Sequence, residues 1–234
     1  MFEHAGAAGR TRWERAWHGI RETPSGVLLV VQVLGVLIYP FTSTGGAGRT
    51  FVSVLGLLVL ALAVLAVRRT PATTWIAWAL GLPVVVLTVW EAVLPDNEPL
   101  ALASAAAHAA FYFFTAVSLL RYMFADIWVS RDELLATGAC FTVLAWAWAY
   151  LYAGIQIIFP GSFDIAGHDG PLTWMELLYL SFTTLTGVGL SDIAVAGGAN
   201  LARSVVMLQM MTGLFYTGLV VARLLGLTMI KFRR

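Results

Sequence analysis

Residues 173–193 read TWMELLYLSFTTLTGVGLSDI, and this stretch decides the fold class of the 234-residue chain. An apolar piece, residues 172–185, precedes a Gly-Val-Gly sequence and lies between two longer apolar blocks. It is too short to cross roughly 30 Å of hydrocarbon, and apolar segments of about 10–14 residues are candidates for re-entrant helices. Non-helical backbone at membrane depth is tolerated only where protein buries it or a water-filled path runs past it. The stretch therefore predicts a re-entrant helix followed by a loop beside an aqueous path.

The composition is that of a membrane protein. Hydrophobic residues make up 59% of the chain and charged residues 12%, whereas a soluble domain carries about 25% charged residues. A helix needs about 20 apolar residues to span a bilayer. The predicted spans are six apolar blocks, at residues 27–42, 51–67, 75–94, 100–124, 134–159 and 201–227. A single cysteine, Cys140, excludes an intrachain disulfide framework and a cysteine-based metal cage.

Basic residues predict the orientation of these spans. With the N-terminus inside, the outer segments hold only Arg49 and Arg203 of the 14 Lys and Arg residues. Both termini are therefore predicted to be cytoplasmic, in a multi-pass protein of the cell membrane. The opposite face collects the acids Asp96, Glu98, Asp164, Asp169 and Asp192. An acidic outer mouth concentrates cations, although surface loops are commonly polar in any case. The net charge of +1 gives no basis for nucleic-acid binding.

A gapless motif runs from the re-entrant helix into the sixth block. Its residues are Trp174, Glu176, Leu178, Tyr179, Ser181, Phe182, Thr184, Leu185, Thr186, Val188, Gly189, Asp192, Leu201, Ala202, Arg203, Ser204 and Gly213. The motif resembles the pore helix, selectivity filter and inner helix of bacterial potassium channels of the two-span pore class. The resemblance implies an all-α membrane protein with six transmembrane helices and a re-entrant pore helix. It also implies a homotetramer in the lipid bilayer, because one chain offers only a quarter of a filter.

The resemblance also assigns site residues. The pore helix includes Trp174, Glu176, Tyr179, Thr183 and Thr184, and the ion filter comprises Thr186, Gly187, Val188, Gly189, Leu190, Ser191 and Asp192. Potassium or another monovalent cation would bind the backbone carbonyls of Gly187, Val188, Gly189 and Leu190, which replace the hydration shell of the ion. No cofactor is implied. Gly213 would be the hinge of the inner helix, and the alternative is close packing of Gly213 and Gly218 against a neighbour.

Three residues depart from the family sequence Thr-Val-Gly-Tyr-Gly. Gly187 lacks the threonine hydroxyl that completes the innermost ion site, and Leu190 lacks the tyrosine hydroxyl that braces the filter in the family. Ser191 replaces a glycine that can take a positive φ, where another residue costs on the order of 1 kcal/mol or more. These departures predict a channel that discriminates poorly between potassium and sodium or conducts little. The substitutions Gly187→Thr, Leu190→Tyr and Ser191→Gly together are predicted to raise potassium selectivity.

The chain divides into four predicted regions. Residues 1–23 form a cytoplasmic interfacial helix, because Trp13, Trp17 and Ile20 share one face. Residues 24–127 hold four spans, residues 128–230 form the pore domain, and residues 231–234 are a basic cytoplasmic tail. The fourth span has one basic residue, Arg121, which is too little charge for steep voltage gating. His108, deep in the same span, is expected to make an interhelical hydrogen bond or to sense pH.

Other functions are left as alternatives. A collapsed filter would make the protein a non-conducting structural or regulatory subunit. A small-molecule or ion transporter would be expected to carry paired half-helices in both halves of the chain, and no such repeat is visible. An enzyme is not expected, because His4, His18, His108, His168 and Cys140 form no nucleophile–base pair or metal-ligand cluster in the sequence.

Overall fold

The computed structural model describes residues 23–39, 55–56, 58–59, 61–63, 71–125, 130–167 and 170–232. Within them the elements with defined ends are α1 (Pro24–Ile38), α2 (Pro71–Val93), α3 (Glu98–Met123), α4 (Arg131–Ile158), β1 (Phe163–Ile165), α5 (Trp174–Thr186), β2 (Ile193–Val195) and α6 (Asn200–Phe232). Short helical pieces also occur within residues 55–63. The short helix predicted at residues 172–185 is observed as α5, and its re-entry into the membrane stays a prediction.

Among the described residues, four helices are long and apolar enough to cross a bilayer: Trp75–Val93, Glu98–Met123, Arg131–Ile158 and Asn200–Arg223. The apolar helix α1 has 15 residues, fewer than the roughly 20 that crossing requires. Residues 40–54 and 64–70, with parts of the first two predicted spans, lie outside the described residues. So does the predicted interfacial helix with Trp13, Trp17 and Ile20. The all-α membrane class is confirmed, and the number of six spans stays a prediction.

The helix α4 is the element around which the others pack, since it contacts α1, α3, α5 and α6. Its buried alanines allow close approach of these neighbours, because a methyl group occupies little space between helices; they are Ala136, Ala139, Ala145, Ala147 and Ala149. Between them, Trp146 is buried against Tyr112 of α3 and Trp174 of α5. The same helix therefore packs both against the N-terminal helices and against α5.

His108 of α3 makes the interhelical contact expected of it. Its Nε2 lies 3.3 Å from the hydroxyl of Thr88 in α2, and its Nδ1 lies 2.8 Å from the carbonyl of Ser104. The imidazole also stacks on the ring of Tyr150 in α4, with centroids 4.3 Å apart. A buried polar side chain is stable in such a place only when its nitrogen atoms have partners. His108 thus joins α2, α3 and α4.

A polar cluster closes the end of the bundle at the N-terminus of α4. The carboxylate of Asp132 accepts hydrogen bonds from the amide and hydroxyl of Ser25, both at 3.2 Å, and from the hydroxyl of Tyr122 at 3.0 Å. Glu133 forms an ion pair with Arg223 of α6 at 3.7 Å. The guanidinium of Arg223 lies 4.9 Å from the centre of the Phe124 ring. These contacts fasten α1, α3, α4 and α6 at one end.

Candidate functional site: pore helix and filter

The helix α5 begins at a capped N-terminus. The Thr173 hydroxyl accepts a hydrogen bond from the amide of Glu176 at 3.3 Å, and the Glu176 carboxylate accepts one from the amide of Thr173 at 2.6 Å. This reciprocal pair is a capping box. Just before it, Gln156 of α4 donates to the carbonyl of Leu172 at 3.0 Å and accepts from its amide at 2.8 Å. Glu176 therefore fixes where α5 starts, and Gln156 fixes that start to α4.

A buried hydrogen-bond network joins the middle of α5 to α4 and α6. The amide nitrogen of Gln209 donates to the Ser181 carbonyl at 2.9 Å and to the Ser181 hydroxyl oxygen at 2.7 Å. The Ser181 hydroxyl donates to the carbonyl of Ala145 at 2.7 Å, and the Tyr152 hydroxyl donates to the side-chain oxygen of Gln209. Sequence analysis missed Gln209, although a lone amide in an apolar span is a signal for such a partner.

Aromatic contacts connect the start of α5 to the N-terminal helices. Trp174 packs on Trp146 of α4, with ring centroids 4.9 Å apart, and on Tyr150 at 5.5 Å. Tyr150 in turn stacks on His108 of α3. The first residue of the pore helix is therefore two ring contacts away from the buried histidine.

The helix α5 ends in a turn built by two glycines. Gly187, with φ of +71°, is the left-handed C-cap, and Gly189 has φ of +67°, a region that glycine occupies without steric penalty. The amide of Gly187 donates to the Thr184 carbonyl at 3.1 Å, and that of Gly189 donates to the Thr183 carbonyl at 3.3 Å. Two hydrogen bonds to the last turn of α5 thus fix the start of the predicted filter.

The predicted filter residues lie together in one short loop. Thr186 remains helical and donates its hydroxyl proton to the Phe182 carbonyl at 2.9 Å. Within the chain Val188 and Leu190 are 60% and 73% exposed, and Asp192 is exposed as well. Ser191 does not have a positive φ, so the backbone avoids the strain that the family's path would impose at this position. The glycines at 187 and 189 take the left-handed conformations instead.

The hydroxyl of Tyr179 donates a hydrogen bond to the carbonyl of Leu190 at 2.7 Å. Tyr179 is on α5 and Leu190 is in the outer part of the loop, so this bond ties the predicted filter to its own pore helix. The family resemblance assigned Tyr179 to the pore helix but did not predict this hydrogen bond. A tyrosine eleven residues before a leucine is no sequence signal for it, since the loop must first turn back along the helix.

The segment after the loop returns to the segment before α5 as a two-stranded antiparallel pair. Phe163 pairs with Val195, Asp164 with Ala194 and Ile165 with Ile193. Ahead of β2 the amide of Ile193 donates to the Ser191 hydroxyl oxygen at 3.0 Å. Sequence analysis missed both strands, because each has three residues and their partners lie about 30 positions apart. The strand pair therefore holds the chain before α5 next to the chain after the loop.

Gly213 lies where α6 passes the end of α5. A β-carbon at this position would be 2.8 Å from the carbonyl carbon of Leu185 and closer still to its oxygen. Among the described residues, a β-carbon at Gly218 would meet no atom within 4 Å. Close packing against α5 is therefore a role of Gly213, and its function as a hinge stays a prediction.

The observed class is a helical membrane protein in which two long helices, α4 and α6, hold a short capped helix and a glycine-rich loop between them. Comparison with family models gives a match to an ion channel family over residues 138–229. Over these residues the chain is similar to this ion channel family, in agreement with the potassium channel resemblance of its motif. Neither the curated proteins nor the solved structures gave a significant match.

Proposed function

We propose that four copies of this chain assemble around a common axis and form a passive channel for monovalent cations. The carrying observation is the loop itself: among the described residues no donor reaches the carbonyl oxygens of Gly187, Val188 or Gly189. Carbonyl oxygens without a protein donor can take the place of water around a cation. The C-terminus of α5 adds partial negative charge beside the same path. Potassium, sodium or rubidium would be the transported ion.

Four-fold assembly is proposed because each chain contributes one α5 and one loop. The inner helix α6 also leaves large apolar side chains uncovered on its own chain, with Leu214 76% and Phe215 69% exposed. Neighbouring copies and lipid would cover this surface. The proposed orientation has both termini in the cytoplasm of a cell-membrane protein. Asp164 and Asp192 then face outward beside the loop, at the opposite end from the Glu133–Arg223 ion pair.

Selectivity between potassium and sodium is proposed to be weak. Gly187 offers no hydroxyl at the innermost site, and the hydroxyl proton of Thr186 is donated to the Phe182 carbonyl. Leu190 offers no side-chain donor or acceptor to the pore helices. With fewer oxygen ligands for the ion, the loop discriminates less by the number and field strength of its carbonyls.

The test is cation flux in liposomes that contain the purified protein. Flux of potassium, rubidium and sodium is expected, with bi-ionic reversal potentials that separate potassium from sodium weakly. The variant Gly189→Ala is expected to lose flux, because its φ of +67° strains alanine. Gly170→Ala is the matched control: Gly170 also has a positive φ, none of the described residues lies within 4 Å of a β-carbon there, and the position is outside the loop.

The triple variant Gly187→Thr, Leu190→Tyr, Ser191→Gly is expected to shift the reversal potential toward potassium. Native mass measurement in detergent is expected to give a tetramer. Strong potassium preference in the unmodified protein would refute the weakened filter, and a tetramer without flux would make the protein a non-conducting subunit. A monomer or dimer as the only species would refute the pore.

A further inference from the structure

The four carbonyls expected to bind cations are not equivalent. Among the described residues, the carbonyls of Gly187, Val188 and Gly189 accept no hydrogen bond, whereas that of Leu190 accepts the Tyr179 hydroxyl at 2.7 Å. This distance is the usual one for an O–H···O hydrogen bond. The two groups come from α5 and from the loop that follows it. One filter oxygen is therefore already engaged by a side chain of its own pore helix.

We propose that Tyr179 withholds the Leu190 carbonyl from the ion path, so that each chain presents three filter carbonyls to cations instead of four. The inference rests on the proposed channel function and names a residue that limits its selectivity. Tyr179 acts as a positioning residue, because it touches the filter backbone and not the ion. The hydroxyl on α5 takes the place of the brace that the side chain of Leu190 cannot provide.

Geometry and charge support this assignment. Ligands of an ion on a shared axis must point away from their own pore helices, whereas the Leu190 oxygen is bonded to a group on α5. A carbonyl oxygen has two lone pairs. A hydroxyl proton and a cation bound to the same oxygen are nevertheless both positive, and they repel each other. Gly189, with φ of +67°, turns the backbone just before Leu190. The outermost ring of oxygens is thus lost to the cation while the hydrogen bond persists.

The sequence allows a direct test by solid-state NMR of the whole protein in lipid bilayers. Labelling leucine carbonyls with ¹³C and serine nitrogens with ¹⁵N selects two Leu-Ser pairs, 180–181 and 190–191. Leu190 reports the carbonyl bonded to Tyr179, and Leu180, within α5, is the internal control. Spectra are recorded in potassium and in sodium, for the unmodified protein and for Tyr179→Phe.

In the unmodified protein, exchange of potassium for sodium is expected to leave the Leu190 signal in place. Tyr179→Phe is expected to shift that signal while the Leu180 signal keeps its position, and the freed carbonyl is then expected to respond to potassium. Tyr112→Phe, whose hydroxyl lies 3.5 Å from the carbonyl of Gly56, is the control that leaves both signals unchanged. A Leu190 signal that follows the cation in the unmodified protein, or that ignores Tyr179→Phe, overturns the proposal.

Liposome flux separates this inference from the proposed function. Where flux occurs, Tyr179→Phe is expected to raise the ratio of potassium to sodium permeability, since a fourth ring of carbonyls joins the path; an unchanged or lower ratio refutes the withholding role. The expected NMR pattern without any flux would leave the Tyr179 contact supported and refute the channel function. Flux together with a cation-dependent Leu190 signal in the unmodified protein would support the channel function and refute the withholding role of Tyr179.

Discussion

At Gly213 the helix α6 passes very close to the end of α5. The Leu185 carbonyl group occupies the space that a β-carbon at position 213 would need. Backbone atoms cannot rotate away as the end of a flexible side chain can, so any larger residue must push α5 and α6 apart. The glycine sets the distance between the two helices beside the filter.

Gly213→Ala is therefore expected to destabilise the protein. Overpacking a tight contact costs about 1–3 kcal/mol, which exceeds the gain of about 1 kcal/mol from replacing glycine by alanine within a helix. A lower midpoint of thermal unfolding in detergent would show this. Gly218→Ala is the matched control on the same helix, because none of the described residues lies within 4 Å of a β-carbon at that position. Equal midpoints for the two variants would contradict the packing role of Gly213.

At the scale of elements, the helices α4, α5 and α6 meet at the side chain of Gln209. This amide is fully buried and bonds Ser181 of α5 and Tyr152 of α4. A leucine of similar volume would leave Tyr152 without its acceptor. Buried polar groups that lose their partner raise the free energy of the folded state by about 1–3 kcal/mol each.

Gln209→Leu is expected to lower the thermal midpoint, and Tyr152→Phe is expected to lower it less. Because both changes remove the same hydrogen bond, the double variant should cost less than the sum of the single variants, with a coupling of about 0.5–3 kcal/mol. Met211→Leu, an exposed position on α6, is the control that should leave the midpoint unchanged. Strict additivity in the double-mutant cycle would show that the two residues act independently.

At the scale of the whole molecule, α4 joins the N-terminal helices to α5 and α6 within the described residues, and the fourth predicted span carries no repeated array of basic residues. The helix α3 has one basic residue, Arg121, in its last turn. Its middle contacts α4, where the Tyr112 ring lies edge-on to Trp146 and the Ala116 carbonyl accepts a hydrogen bond from the Cys140 thiol at 3.5 Å. One elementary charge that crosses the membrane field supplies about 2.3 kcal/mol per 100 mV, whereas steep gating uses about 3–4 charges in each of four subunits.

Open probability is therefore expected to change little across physiological potentials. Planar-bilayer recordings from the reconstituted protein would measure it as a conductance–voltage curve. Arg121→Gln is expected to leave the shape of that curve unaltered, since the residue lies at the end of α3 and not within a repeated array. A steep curve that requires many gating charges would contradict this prediction.

The sequence by itself determined the elements whose signals are local. Hydrophobic length marks the spans from Trp75 onward, and the short apolar run before Gly187 and Gly189 marks a capped helix and a glycine turn. The position of the short helix α5, the similarity to an ion channel family over residues 138–229 and the interhelical bond of His108 followed from such signals. These features could be predicted because they depend on the residues within a few helical turns.

Only the tertiary structure decided which distant groups meet. The β1–β2 pair, the Gln209 network, the Tyr179–Leu190 bond and the approach of Gly213 to Leu185 each join positions separated by 11 to 57 residues. A hydrogen bond requires two correctly aligned atoms within about 3 Å of each other. The residues of one segment do not specify how far its atoms lie from those of a distant segment. The docking of α4, α5 and α6 supplies this distance, so the details of the filter were fixed by packing between elements.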